Sequence, residues 1–201
     1  MKPLKVEVAS DVVCPWCYIG KRRLEKALTA VKGEIQAEIR WLPFQLNPGM
    51  PKEGMPRAEY RKAKFGSLER SRALDARVIA EGKSEGIDFA FERIQRTPNT
   101  LAAHRLIALA ENQSAVVDAL FKAYFEEAKD IGEPEVLADI AAKCTVEGWP
   151  EQARDVSELE ERVRELGISA VPTFIFDRKL GVSGAYPPES LAEAMRQATT
   201  K

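Results

Sequence analysis

Apolar and polar positions change period several times along the chain, and each change marks an element. Leu4 to Ala9, with branched residues at Val6 and Val8, predicts a strand. Lys5 and Glu7 make it less apolar than a central parallel strand should be. From Pro15 the period becomes helical. Proline is favoured at the first helical position, and Leu24, Ala27, Leu28 and Val31 form one apolar stripe that Gly33 ends. Ile35, Ala37, Ile39 and Trp41 then alternate along a second strand. Strand, helix, strand within about forty residues is a βαβ unit with a right-handed crossover.

The middle of the chain reads as helices with no convincing long strand, from about Pro56 to Leu166. "PRAEYRKAKFGSLERSRALDARVIAEG" predicts two helices broken near Gly66. Thr97-Pro98 opens a helix carrying Leu101, Ala102, Leu106 and Leu109. Ser114 is a suitable N-cap for Val117, Leu120, Phe121, Tyr124, Phe125 and Ala128. Val136, Leu137, Ile140, Ala141 and Cys144 make another stripe, and Ser157 with Glu160 forms a capping box before Leu159, Val163 and Leu166. Strands return at Thr173–Phe176 and Leu180–Ser183, joined by an Asp177-Arg178-Lys179 turn, and Pro187-Pro188 leads into a last helix. The order is β-α-β, a helical insertion, then β-β-α.

Composition narrows the function classes. The 201 residues are 45% hydrophobic, and 30 basic residues nearly cancel 31 acidic ones. That balance argues against nucleic acid or an anionic membrane as partner. No apolar run approaches a membrane span. Charges at Lys5 and Glu7 interrupt any apolar leader, so a cytoplasmic protein without a signal peptide is expected. Three cysteines, Cys14, Cys17 and Cys144, do not suit a disulfide framework.

The chemistry concentrates in "SDVVCPWCYIGKRRLEKAL". Cys14 and Cys17 stand at a strand-to-helix junction, where a thioredoxin-like fold keeps its redox site. Disulfide exchange needs a thiolate, and a helix N-terminus offers unpaired N–H groups and partial positive charge. Cys14 is therefore the expected nucleophile and Cys17, one turn inside, the resolving thiol. Pro15 fixes the turn without using a needed N–H. Trp16 adds apolar surface and no charge. An inert pair is the bland alternative. Zinc would need two further ligands; only His104 and Cys144 remain, neither at zinc-like spacing, which leaves carboxylates to complete a site. Cys144 reads as a buried structural cysteine. His104, the sole histidine, reads as a structural residue, with a place lining the cleft above Cys14 as the alternative.

"SDVVCPWCYIGKRR", "FQLNP", "NTLAAHRL", "LFKAYFEEAKDI" and "VPTFIFDRKLGVSGAYPPE" together resemble the DsbA-like thioredoxin superfamily, in its FrnE-like cytosolic branch. Related branches are the kappa-class glutathione transferases and the 2-hydroxychromene-2-carboxylate isomerases. The resemblance covers nearly the whole chain, with its motifs in order. It implies that Pro172 is the cis-proline facing the redox pair and that the backbone of Val171 pairs with an extended substrate or a glutathione moiety. It also separates functions. The transferase and isomerase branches usually carry a serine where this chain has Cys14. A Ser-Asp pair that holds glutathione in the kappa enzymes is replaced here by Ala185 and Tyr186, after Gly184. Asn47 falls near the glutathione site of those relatives, and as a loop residue before Pro48 it also suits a turn.

The expected architecture is thus α/β: a discontinuous thioredoxin-like domain of residues 1–50 and 167–201, with an all-helical insertion, residues 51–166, covering the redox site. The expected function is a thiol–disulfide oxidoreductase, reducing or isomerising disulfides, with Cys14 and Cys17 catalytic and Pro15, Trp16, Val171 and Pro172 contacting substrate. No metal or organic cofactor is called for. The expected partners are a disulfide-containing protein or a small-molecule thiol, glutathione among them. The runner-up is a glutathione-dependent isomerase or transferase acting on a small aromatic or polyketide-like molecule, which would need only one activated group. A third reading is a non-enzymatic binding module.

Overall fold

The opening βαβ unit consists of β1 (Lys2–Ser10), α1 (Pro15–Ala30) and β2 (Ile35–Pro43). The two strands are parallel, in register from Lys2↔Ile35 to Ser10↔Pro43. The structure is a computed structural model and describes residues 1–200. The chain continues through β3 (Met55–Pro56), α2 (Arg57–Phe65), α3 (Leu68–Ser84), β4 (Arg96–Thr97), α4 (Leu101–Leu109), α5 (Gln113–Phe125) and α6 (Pro134–Lys143). It ends with α7 (Ser157–Glu165), β5 (Thr173–Phe176), β6 (Leu180–Ser183) and α8 (Pro188–Ala198).

Two compact units result: Met1–Phe44 with Ser157–Lys201, and Gln45–Val156. These boundaries differ from the expected 1–50, 51–166 and 167–201. Helix α7 belongs with the sheet, not with the insertion. The reason is packing: Val163 of α7 is buried, and the guanidinium of Arg164 stacks 4.1 Å from the Phe44 ring centroid at the end of β2. Periodicity identified the helix but carries no information on which neighbour receives its apolar face.

In the first unit the strand order is β2-β1-β5-β6, with β5 antiparallel to β1 and β6 antiparallel to β5. Alternation gives the sheet two unlike faces. Val6 pairs with Phe176 and Val8 with Phe174, so these four side chains share one face, and all are at most 1% exposed. Leu24 of α1 and Leu191 and Met195 of α8 are buried with them. Full burial of such side chains stabilises by about 1.5–3 kcal/mol each. The opposite face carries Lys5 and Glu7 of β1. Glu7 is held by a bidentate pair with Arg178 of the β5–β6 turn, Nε to Oε2 and Nη2 to Oε1, both 2.9 Å. The charges that make β1 look unsuited to a sheet centre therefore lie on the face that α1 and α8 do not cover.

The second unit is helical except for a two-residue antiparallel ladder, Met55↔Thr97 and Pro56↔Arg96, so the insertion is not wholly helical as expected. Its core is aromatic: Phe89 stacks on Phe91 at 4.7 Å, and Phe125 meets Phe89 edge-on at 5.3 Å. The predicted break between two helices falls at Gly66, whose φ of 86° favours a residue without a Cβ. Ser67 then caps α3 by accepting the Arg70 N–H at 3.1 Å. Two expectations shift. Asn112, not Ser114, caps α5, accepting the Ala115 N–H at 3.2 Å. Cys144 is half-buried, because α6 stops at Lys143 and Thr145 turns into the left-handed region before the apolar stripe is complete.

Two tests follow from this packing. Because Cys144 is half-buried, Cys144→Ala should cost less than about 1 kcal/mol in urea denaturation; a larger loss would mean that its sulfur is a core contact. The carboxyl of Glu7 is held below its ordinary range, chiefly by the Arg178 hydrogen bond. A depressed carboxyl contributes stability that is present above its unfolded-state value and is lost as pH falls through the folded-state value. Glu7→Gln should therefore be less stable than wild type near neutral pH, and the gap should close in acid. The exposure of Arg178 keeps the effect small through solvent screening. Urea midpoints at about pH 7 and about pH 3 check this; a gap unchanged in acid would show that the pair acts through shape and not charge.

Candidate active site

β1 ends at Ser10, and the next three residues make a turn that the Cys14 N–H closes on the Asp11 carbonyl at 3.0 Å. Cys14 is the N-cap of α1, in an extended conformation (φ −93°, ψ 112°), with Pro15 opening the helix. No side chain caps this terminus, and no acidic residue stands in the first turn. The partial positive charge of the helix end is therefore directed at the Cys14 position. Pro15 and Trp16 are half-buried on this first turn.

Cys17 lies one turn inside, 1% exposed against 5% for Cys14. Burial pushes the Cys17 thiol well above its ordinary value, and the neighbouring Cys14 sulfur adds to the shift. The Ser10 hydroxyl and the Asp11 backbone partly offset it. Ser10 and Asp11 are themselves buried, at 5% and 0% exposure. Both cysteines are thiols here.

The far end of the chain meets this turn. The Cys14 thiol donates to the Val171 carbonyl oxygen at 3.8 Å, across 157 residues of sequence. The Val171–Pro172 peptide is cis, as is Trp149–Pro150. The strand behind it is tightly held: Gly184 N–H donates to the Pro172 carbonyl at 2.7 Å, and Thr173 Oγ1 donates to the Ala170 carbonyl at 2.7 Å. Arg23 of α1 reaches the Ala185 carbonyl at 2.6 Å, tying the helix to the loop after β6. Cys14, Cys17, Val171 and Pro172 thus come together with Pro15 and Trp16 between them.

Gly20 is the residue that sequence reasoning passed over. A Cβ there would sit 2.9 Å from Pro172 Cγ and 3.2 Å from Phe174 Cζ. The available signal was a glycine inside a helix, which costs about 1 kcal/mol relative to alanine and needs a reason. The reason is the close approach of Pro172 to α1. Of the remaining candidates, His104 and Asn47 lie in the second unit and Tyr186 in the first. His104 is buried in α4, and Asn47 accepts from the Tyr60 hydroxyl at 3.1 Å and the Lys64 ammonium at 3.2 Å. Tyr186 is 49% exposed, following Gly184 at φ 114°. Among the described residues, no group of three or more His, Cys, Asp or Glu side chains converges as a metal would require, and no helix is long and apolar enough to cross a membrane.

The family model of the DSBA-like thioredoxin domain matches residues 5–196. The chain belongs to this DSBA-like family. It is similar to a probable DsbA oxidoreductase from Streptomyces coelicolor, with 31% identity and a TM-score of 0.86, covering 98% of this chain and 91% of that one. The uncharacterized protein YwbO of Bacillus subtilis (strain 168) is 27% identical over 182 residues, 85% of each chain. The cytosolic disulfide reductase DsbM of Pseudomonas aeruginosa, whose structure is also known with GSH, shares the fold at 19% identity and a TM-score of 0.59, covering 98% of this chain and 95% of that one. In a DSBA-like chain with two thiols on one helix turn, the arrangement can exchange electrons with a disulfide without any further group.

The contact between Gly20 and Pro172 gives a direct test. Gly20→Ala adds helix propensity but must displace the Pro172 ring, and such overpacking costs about 1–3 kcal/mol. Urea denaturation should show a net loss. Unchanged or raised stability would show that the ring yields freely and that the close approach is not required.

Proposed function

We propose that the protein is a thiol–disulfide oxidoreductase in which Cys14 is the attacking thiol and Cys17 the resolving one. The observation that carries this reading is the placement of Cys14 Sγ at the uncapped N-terminus of α1, 3.8 Å from the Val171 carbonyl, with Cys17 buried one turn behind. Cys14 thiolate attacks one sulfur of a substrate disulfide; a Cys14–substrate disulfide forms and the other substrate sulfur leaves as a thiolate. Cys17 then attacks Cys14 Sγ. The Cys14–Cys17 disulfide forms, the substrate leaves fully reduced, and the two electrons it gained came from the cysteine pair. Pro15, Trp16, Val171 and Pro172 contact the substrate, with the Val171 backbone available to an extended chain.

The order of the two thiols has a physical basis. Part of what holds the Cys17 proton is the Cys14 sulfur itself, through a hydrogen bond and through charge. The charge is gone once Cys14 is bonded to substrate, and a neutral disulfide sulfur accepts a hydrogen bond more weakly than a thiolate does. Burial then remains, against the opposing pull of Ser10 and Asp11, so Cys17 loses its proton more readily at the step where it must attack.

In a cytoplasmic setting the pair would be kept reduced, and net reduction or isomerisation follows. Glutathione is the proposed thiol reductant. The name and GSH complex of the Pseudomonas aeruginosa protein support that direction, at fold-level similarity. Retention of both cysteines favours exchange over a single-group isomerase or transferase.

Two experiments test the assignment. Cys17→Ser incubated with a disulfide substrate should accumulate a reducible adduct on Cys14 and lose turnover in insulin reduction; wild-type turnover in that variant would point to single-group chemistry instead. Brief alkylation of the reduced protein near neutral pH, followed by peptide mapping, should label Cys14 well before Cys17. Preferential labelling of Cys17 would reverse the roles.

A further inference from the structure

The sheet face opposite α1 and α8 holds a cavity that the redox chemistry does not use. Register sets Arg40, Glu7, Ile175 and Gly181 in one row across the four strands, through the pairs Glu7↔Arg40, Glu7↔Ile175 and Ile175↔Gly181. This row is part of the floor. Arg162 and Val163 of α7, with Leu166 just beyond it, line the other side. The space between measures about 640 Å³, within the range that takes small organic molecules.

Its surface is apolar where packing should have closed it. Ile175 is only half-buried, although Phe174 and Phe176 on either side are fully buried toward the helices. Leu166 is 66% exposed. At the β6 edge, Gly181 leaves the floor open, and a Cβ added there would meet nothing within 4 Å.

Charge selects the occupant. Three arginines, Arg40, Arg162 and Arg178, line the cavity with a single acidic residue, Glu7. Both oxygens of Glu7 are already engaged by Arg178. Arg162 meets only Glu158, at 3.7 Å and with both side chains largely exposed. A neutral ligand would leave this excess unmatched, a cation would be repelled, and a second copy of the same face would bring the same charges. We propose that the cavity is a binding site for a small organic anion: an apolar body seated on Ile175, Leu159 and Leu166, with its anionic head toward Arg40 and Arg162.

The full chain is titrated with 8-anilinonaphthalene-1-sulfonate, followed by its fluorescence, and the bound dye is competed with octanoate, octanol or octylammonium. The dye should bind one site per chain. Octanoate should displace it, while octanol and octylammonium should be weaker by about tenfold or more, since charge-assisted pairing to guanidinium is lost. The Arg40→Ala/Arg162→Ala variant should weaken octanoate by about tenfold. Gly181→Leu should abolish dye binding with the circular dichroism and melting temperature of the wild type, because its side chain enters open space. The proposal is overturned if octanol competes as well as octanoate, if Gly181→Leu binds dye normally, or if no saturable site is found. Octylammonium competing best would mean that Glu7, not the arginines, sets the charge of the site.

Discussion

The antiparallel pairing of β5 with β1 is the constraint on which the site depends. Ala9 faces Thr173 at the end of the ladder where β1 finishes and β5 begins. Five residues after Ala9 comes Cys14, and immediately before Thr173 comes Pro172. Two residues separated by most of the chain are thereby brought to the same end of the two inner strands, and the contact between Cys14 and Val171 follows from register. A slip by one residue would invert every side chain of β5 and turn Phe174 and Phe176 out of the core. The hydrophobic pattern of β5 thus protects the geometry of the thiols.

A second contact sets how near the two ends come. The register brings Val171-Pro172 alongside α1, and Gly20 decides the separation, since any side chain there meets the Pro172 ring. Arg23 and Gly184 hold the same loop from either side, through the Ala185 and Pro172 carbonyls. In the proposed reaction the cysteines supply the chemistry. The residues that aim Val171 at Cys14 are a helix glycine and backbone hydrogen bonds, neither of which has a distinctive motif.

That difference explains what was legible in the sequence. Strands β1, β2, β5 and β6, helix α1 and the cysteine pair could be read because periodicity and local spacing encode them directly. The partnership of Val171-Pro172 with Cys14 came from family resemblance and not from spacing, since nothing local encodes a contact across 157 residues. Helix α7 was visible as a helix, yet its place on the sheet was not, because its stripe of Leu159, Val163 and Leu166 would suit either unit. The partial exposure of Cys144 is illegible in the sequence for a related reason. Its stripe continues one position past the point where α6 ends, and a stripe does not reveal where the backbone turns.

Glu7 was visible too, as an anomaly. A carboxylate in a central strand is costly if both faces are packed, because a buried charge must be matched by a partner and by hydrogen bonds. The anomaly resolves when the two faces are considered separately. The face under α1 and α8 carries the burial that holds the unit together, with Val6, Val8, Phe174 and Phe176 all but inaccessible. That leaves the opposite face free to hold polar groups, and Arg178 reaches back from the β5–β6 turn, at a φ of 57°, to pair with Glu7. The turn residue that adopts this left-handed backbone is therefore also the one that neutralises the strand's charge. Stability and polarity are divided between the two sides of one sheet, and the charged neighbours Arg40 on β2 and Glu7 on β1 are compatible with the fold because of that division.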